Sequence, residues 1–190
     1  RITNPACPRC NRLGPKGKYC PACRRQTDLT GVLAGARYRE PLRTAICALK
    51  YRHASAIAPR LASYPLLSLT RLNNLPRAVL VPVPLHPSKQ RRRGHNQADL
   101  IATPVSAATG IPIDNRLART RKTRSQTGLT REQRQKNVEG AFQWRGPSLN
   151  GKVVLLVDDV FTTGATLGAC ALTLRQAGAQ QVWGLVVAKR

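Results

Sequence analysis

Acidic side chains are scarce in this chain. Eight Asp and Glu stand against 32 Lys and Arg in 190 residues, giving a net charge of +24 and an isoelectric point near 11.5. That balance lies far outside the range of a metabolic enzyme that handles only small molecules and points to polyanions, nucleic acid first. A genome-composition bias is the competing source of the charge, because Arg outnumbers Lys by 24 to 8. Aromatic residues are sparse as well, at 4%. Any grip on nucleic acid is therefore expected to be directed at phosphates and sensitive to salt rather than to rest on base stacking. Methionine is absent and the chain begins at Arg1, so the natural start is expected to lie upstream. No run of about 18 apolar residues occurs, and the first residues carry no charged-then-apolar leader. Neither a membrane span nor a secretory leader is expected, and the expected location is the cytoplasm. The phosphate-binding pattern GxxxxGK[ST] is missing too, which excludes a Walker A loop.

Against so few acids, the adjacent pair Asp158 and Asp159 stands out. They end the apolar run of segment 152–166, KVVLLVDDVFTTGAT. Two neighbouring carboxylates repel, which is tolerable at the carboxyl end of a buried strand when hydroxyls, a metal or a cation share the charge. Thr162, Thr163, Gly164, Ala165 and Thr166 follow, a hydroxyl-rich permissive turn before a helix expected to start near Leu167. A helix N-terminus offers unpaired N–H groups and the positive end of a dipole, so this turn suits a phosphate, as the acid pair suits sugar hydroxyls. A strand followed by a merely capped helix is the plainer alternative. If the acids touch only ligand, neutralising both should leave the fold intact and relieve repulsion.

Six cysteines occur, four of them in two knuckles, Cys7-Pro-Arg-Cys10 and Cys20-Pro-Ala-Cys23. Each two-residue gap aims two thiolates at one point, and four sulfurs in a tetrahedron suit a structural zinc. The intervening gap of nine residues fits a small ribbon. Two disulfides, or a redox CxxC, are the alternatives that a cytoplasmic setting and the absence of a thioredoxin-like context disfavour. Cys47 and Cys170 lie in apolar helical stretches and are expected in the core.

Elsewhere strands are expected at 32–38, 79–81, 153–157 and 181–187, and helices at 40–51, 55–69, 97–109 and 167–177. Pro59, Pro65 and Pro104 weaken two of these helices. Residues 111–117 read as a turn and edge strand. The alternation describes an α/β fold with a mostly parallel sheet flanked by helices, whose ligands lie beyond the carboxyl ends of the strands. After Val81 a proline-stiffened turn at Pro82 and Pro84 is followed by Lys89 and Arg91 to Arg93, a favourable setting for pyrophosphate. His86 and His95 read as hydrogen-bonding residues sooner than as acid or base. The segment 119–136 is basic and lacks apolar periodicity, and is expected to be a long mobile loop.

The segment 152–166 resembles the phosphoribosyl-pyrophosphate (PRPP) loop of type I phosphoribosyltransferases. More of the chain fits a narrower group. The cysteine knuckles, the ALKY of 48–51, VPVP with RGHNQ, the R-x-x-x-T-x-x-Q-x-x-L-x-x-x-x-R-x-x-N of 119–137 and VDDVFTTGAT together resemble the ComF family (competence protein F, GntX-like proteins) over nearly the whole length. The resemblance implies a zinc ribbon over 1–28 and a type I phosphoribosyltransferase-like domain over 29–190. It places Asp158 and Asp159 on the ribose hydroxyls and Thr162 to Thr166 on the 5-phosphate, with Pro84, Lys89 and Arg93 near the pyrophosphate. Arg121, Arg124 and Arg134 of the basic loop would draw off the leaving group's charge. Magnesium would arrive with PRPP, keeping waters and binding the substrate's phosphates rather than a protein cage. Thr162 stands where purine-salvage members carry a carboxylate, which points away from a purine acceptor. The family further implies a part in DNA uptake during natural transformation, with single-stranded DNA and a helicase-like ATPase as partners. A pentosyl transferase and a non-catalytic DNA-binding or PRPP-sensing protein both remain compatible with these residues.

Overall fold

The computed structural model of the chain describes residues 6–12, 17–52, 54–72, 75, 77–123 and 130–190. Arg124, one of the basic-loop residues singled out above, lies outside the described residues. In chain order the elements are α1 (Pro21–Arg24), β1 (Gly31–Arg37), α2 (Leu42–Tyr51), α3 (Ala58–Leu69), β2 (Ala78–Pro82), α4 (Pro87–Arg93), α5 (Gln97–Thr109), β3 (Leu117–Arg119), α6 (Arg131–Val138), β4 (Phe142–Trp144), β5 (Val153–Phe161), α7 (Ala165–Gln176) and β6 (Gln181–Lys189). Four strands form one parallel sheet in the order β1-β6-β5-β2, and β3 pairs antiparallel with β4 in a separate hairpin.

Both faces of the parallel sheet are covered, which is why its strands read as nearly unbroken apolar runs. Val154 and Leu156 of β5 pack with Leu167, Cys170 and Leu174 of α7 and with Leu117, Val138 and Phe142 from the hairpin region. Val153, Leu155 and Val157 face the other way, into Ile46 and Leu49 of α2, Leu61 of α3 and Ile101 and Val105 of α5. Gly35 in β1 lets α3 lie close, since a Cβ there would stand 2.4 Å from the Tyr64 carbonyl oxygen.

As expected, α3 and α5 run through Pro65 and Pro104, because burial against the sheet outweighs the backbone bond that each proline removes. Two local expectations change. The stiff loop after β2 contains a helix, α4, begun by the His86 ring, which accepts from Ser88 N, and by Pro87 in its first turn. Part of the expected mobile loop is also helical. Thr130 and Gln133 form a capping box that starts α6, with Thr130 Oγ1 accepting from Gln133 N and Gln133 Oε1 accepting from Thr130 N. That helix is polar and lacks an apolar stripe, so hydrophobic periodicity could not reveal it.

The cysteine-bearing segment is tied to the sheet. Tyr19 N donates to the Thr30 carbonyl, and Lys189 Nζ at the end of β6 donates to Asn11 Oδ1 at 2.8 Å. No described helix is long and apolar enough to cross a membrane.

Candidate functional site

Side chains alternate along β5, so the acid pair divides between the two faces of the sheet. Asp158 follows Val154 and Leu156 toward α7, and Asp159 follows Leu155 and Val157 toward α2. There Lys50, near the end of α2, meets Asp159 at 2.6 Å from Nζ to Oδ1, with Asp159 almost wholly buried. Burial alone would lower the Lys50 ammonium, but Asp159 and, less strongly, Asp158 outweigh it and hold its pKa above the usual lysine value. Asp158 has no such partner. Burial, and then the charge of Asp159, push its carboxyl up to about 7 against the weaker pull of Lys50 and Arg119. Its Oδ1 accepts from Asp159 N at 2.8 Å.

Both acids line a cavity of about 380 Å³ at the carboxyl edge of the sheet. One wall is the turn after β5. Gly164, with φ of 81°, caps α7, and a Cβ on it would lie 2.9 Å from the Phe161 ring, so both the backbone and the packing require glycine. No side chain caps this helix, although Thr163 Oγ1 accepts from Ala165 N at 3.4 Å. The first-turn N–H groups of α7 thus face the turn. The opposite wall is cationic: Lys89 and Arg93 come from α4, Arg119 from β3 and Arg134 from α6. Burial lowers the Lys89 pKa, and the nearby charges of Arg119, Arg93 and Arg92 lower it further. A lysine crowded by guanidinium groups until its own charge is disfavoured marks a site short of an anion.

Among the described residues, three buried side-chain polar atoms have no hydrogen-bond partner, namely Arg119 Nε, Arg134 Nε and Asp159 Oδ2. All three belong to residues that line this cavity. Buried polar groups are seldom left unpaired. Two unpaired guanidinium donors and one unpaired carboxylate oxygen around a single cavity describe a ligand with anionic oxygens and hydroxyl donors.

The cavity gathers most of the residues singled out from the sequence: Asp158, Asp159, Thr162, Gly164, Ala165, Thr166, Pro84, Lys89, Arg93 and Arg134. Thr163 lines the neighbouring groove on the far side of the turn. Arg121 is engaged elsewhere, donating to the Asn137 and Glu139 carbonyls at the end of α6. His86 caps α4, and His95 Nε2 lies 2.8 Å from the Leu49 carbonyl, so both histidines hold structure. Two cations of the cavity were given no role from the sequence, Lys50 within ALKY and Arg119 at the head of the R-x-x-x-T pattern. Arg119 is buried over the Phe142 ring and donates to Thr123 Oγ1. Its signal was the R-x-x-x-T spacing, which that hydrogen bond explains.

A second cluster lies at the front of the chain. The sulfurs of Cys7, Cys10, Cys20 and Cys23 all lie within 4.8 Å of one another, and Cys10 Sγ is 3.7 Å from Cys20 Sγ. A tetrahedron with metal–sulfur bonds of about 2.3 Å has edges of about 3.8 Å, so the set can hold a zinc-sized ion. Burial would raise the Cys7 thiol, but backbone donors from Cys10, Cys20 and Arg9 outweigh it and bring it to about 6. Burial and the neighbouring sulfurs push Cys23 up to about 12. A cation among the sulfurs would offset what raises Cys23 and favour its thiolate.

Comparison with known proteins agrees with this geometry. Residues 92–190 match the family described as the phosphoribosyl transferase domain. The chain is 36% identical over 195 residues to Competence protein F of Haemophilus influenzae, covering 94% of this chain and 84% of that protein. It is 36% identical over 158 residues to the DNA utilization protein YhgH of Escherichia coli, covering 79% and 69% of the two chains. To the competence protein ComFC of Bacillus subtilis it is 26% identical over 187 residues, 94% of this chain and 75% of that one.

Proposed function

Because the chain belongs to the phosphoribosyl transferase domain family, in the branch of competence protein F, we propose that the cavity between Asp158 and Arg134 binds PRPP or the phosphoribosyl end of a nucleotide. The observation that carries this reading is the set of three unpaired buried atoms around one cavity. The ribose hydroxyls donate to Asp158 and to the free oxygen of Asp159, the 5-phosphate takes the N–H groups of the turn at Gly164, and the pyrophosphate lies against Lys89, Arg93, Arg119 and Arg134. Magnesium would accompany the pyrophosphate as a partly hydrated cation, its remaining oxygens supplied by the substrate's phosphates. Where an acceptor attacks the anomeric carbon, positive charge grows on the ribose. Asp158 and Asp159 stabilise that charge through the hydroxyls while the guanidinium groups take up the charge of the leaving pyrophosphate. Calorimetric titration with PRPP and Mg²⁺ tests the assignment.

In this reading residues 1–28 form a ribbon around one structural zinc, held by Cys7, Cys10, Cys20 and Cys23, and residues 29–190 form the phosphoribosyltransferase-like domain. A second role is favoured by the charge. The net +24 and the run Arg91 to Arg93 beside the cavity support binding of single-stranded DNA. The names of the relatives, competence and DNA utilization, support a task in handling DNA, which this reading places at DNA uptake and in the cytoplasm. A helicase-like ATPase is the partner consistent with such a task.

A further inference from the structure

Aromatic side chains are rare here, and one of them is conspicuously placed. Tyr51, the last residue of α2, is 68% exposed, and among the described residues only Leu67 and Leu172 are the other large apolar side chains left in solvent. It lines the cavity that holds the acid pair and follows Lys50, which is anchored on Asp159, so its backbone is fixed at the cavity mouth. The Arg93 guanidinium lies over its ring at 5.2 Å from the centroid. Arg93 is itself held, its Nη1 donating to Gln97 Oε1 at 2.6 Å. The result is a ring and a guanidinium, each fixed from behind, at the rim of an electropositive cavity. The proposed contacts to ribose, 5-phosphate and pyrophosphate make no use of the ring.

We propose that Tyr51 and Arg93 form a stacking platform for a nucleobase joined to a phosphate, the base lying on the Tyr51 ring and the phosphate on the cations of α4. This rests on reading the cavity as one that takes a phosphoribosyl group, and it adds a base-recognition element at its mouth. Every base has a π-face and every nucleotide an anion, so the platform is tolerant of sequence. Aromatic scarcity along the chain does not preclude stacking, because one exposed ring beside a guanidinium suffices.

The test follows 2-aminopurine fluorescence, which is quenched when that base stacks, on titrating the full chain into three probes at low salt. These are a short single-stranded DNA carrying one internal 2-aminopurine, the free 2-aminopurine nucleoside monophosphate, and a strand of the same length with an abasic position there, labelled at its end. Quenching of the strand, of the free nucleotide or of both identifies the source of the base. Tyr51→Ala should then abolish the quench and weaken the quenched probe about 5- to 100-fold, while changing the abasic strand less than about two-fold. Tyr51→Phe should keep both the affinity and the quench. Unquenched probes, or equal weakening of the base-bearing and abasic strands by Tyr51→Ala, would overturn the platform. A parallel calorimetric titration of the parent with PRPP and Mg²⁺ reports on the pocket separately, so that failure of the pocket is distinguished from failure of the platform.

Discussion

At the scale of single residues, adjacency in sequence hides a difference in environment. The repulsion between Asp158 and Asp159 suggested that removing both charges would be harmless to the fold. Only Asp158 fits that expectation, because Asp159 compensates Lys50 across the sheet edge. Asp159→Asn would leave a largely buried ammonium without its partner, and we expect a loss of about 2–4 kcal/mol in chemical denaturation. Asp158→Asn should do the opposite. The native pKa of about 7 lies above the ordinary 3.8, so the native state binds the proton more tightly than the unfolded chain. The associated stability is fully present below about pH 4 and is lost as pH rises through about 7. Asn cannot ionise, so parent and variant should be equally stable near pH 4, and the variant should lead by an amount on the order of a few kcal/mol at pH 8. Denaturation curves at the two pH values check this, and a variant less stable at pH 8 would contradict it.

At the scale of elements, legibility followed the kind of signal each element carries. Strands buried on both faces announce themselves as apolar runs, and β1, β2, β5 and β6 lie where those runs predict, with β5 extending beyond the acid pair to Phe161. Helices with an apolar stripe, such as α2 with Leu42, Ile46 and Leu49 buried, were legible for the same reason. The polar helices α4 and α6 were not, because the sequence marks them through their caps alone. The site divides similarly. The acid pair and the glycine turn are contiguous and could be read directly, whereas Lys50 and Arg119 are brought in by tertiary packing from 39 or more positions away. Two predictions belong here. Gly164→Ala forces a Cβ into left-handed backbone against the Phe161 ring, which should cost about 1–3 kcal/mol and weaken PRPP binding together with it. Native mass spectrometry should find one zinc per chain, and a chelator should lower the melting temperature; a chain that is metal-free, folded and indifferent to chelation would remove the ribbon assignment.

At the scale of the whole molecule, a cavity that needs only a few cations sits in a chain with a net charge of +24. If the excess serves nucleic acid, affinity for single-stranded DNA falls steeply with salt, and each phosphate contact adds about 0.7 to the slope of log affinity against log salt. Arg91 and Arg92 are exposed on α4 beside the cavity. Replacing both by Ser should reduce that slope by about 1.4 and weaken strands of different sequence alike. An unchanged slope would assign the charge to composition rather than to binding.

The central claim is that the acid pair and its cationic wall hold a phosphoribosyl pyrophosphate. Isothermal titration with PRPP and Mg²⁺, run on the parent and on Asp158→Asn at about pH 8.5, above the Asp158 pKa of about 7, addresses it most directly, since this substitution spares the Lys50 pair and leaves the fold at least as stable. We expect saturable binding of one PRPP per parent chain and an affinity at least about ten-fold weaker in the variant, the loss of a hydrogen bond to a charged acceptor. A parent that gives no binding heat, or a variant that binds as tightly as the parent, would contradict the assignment.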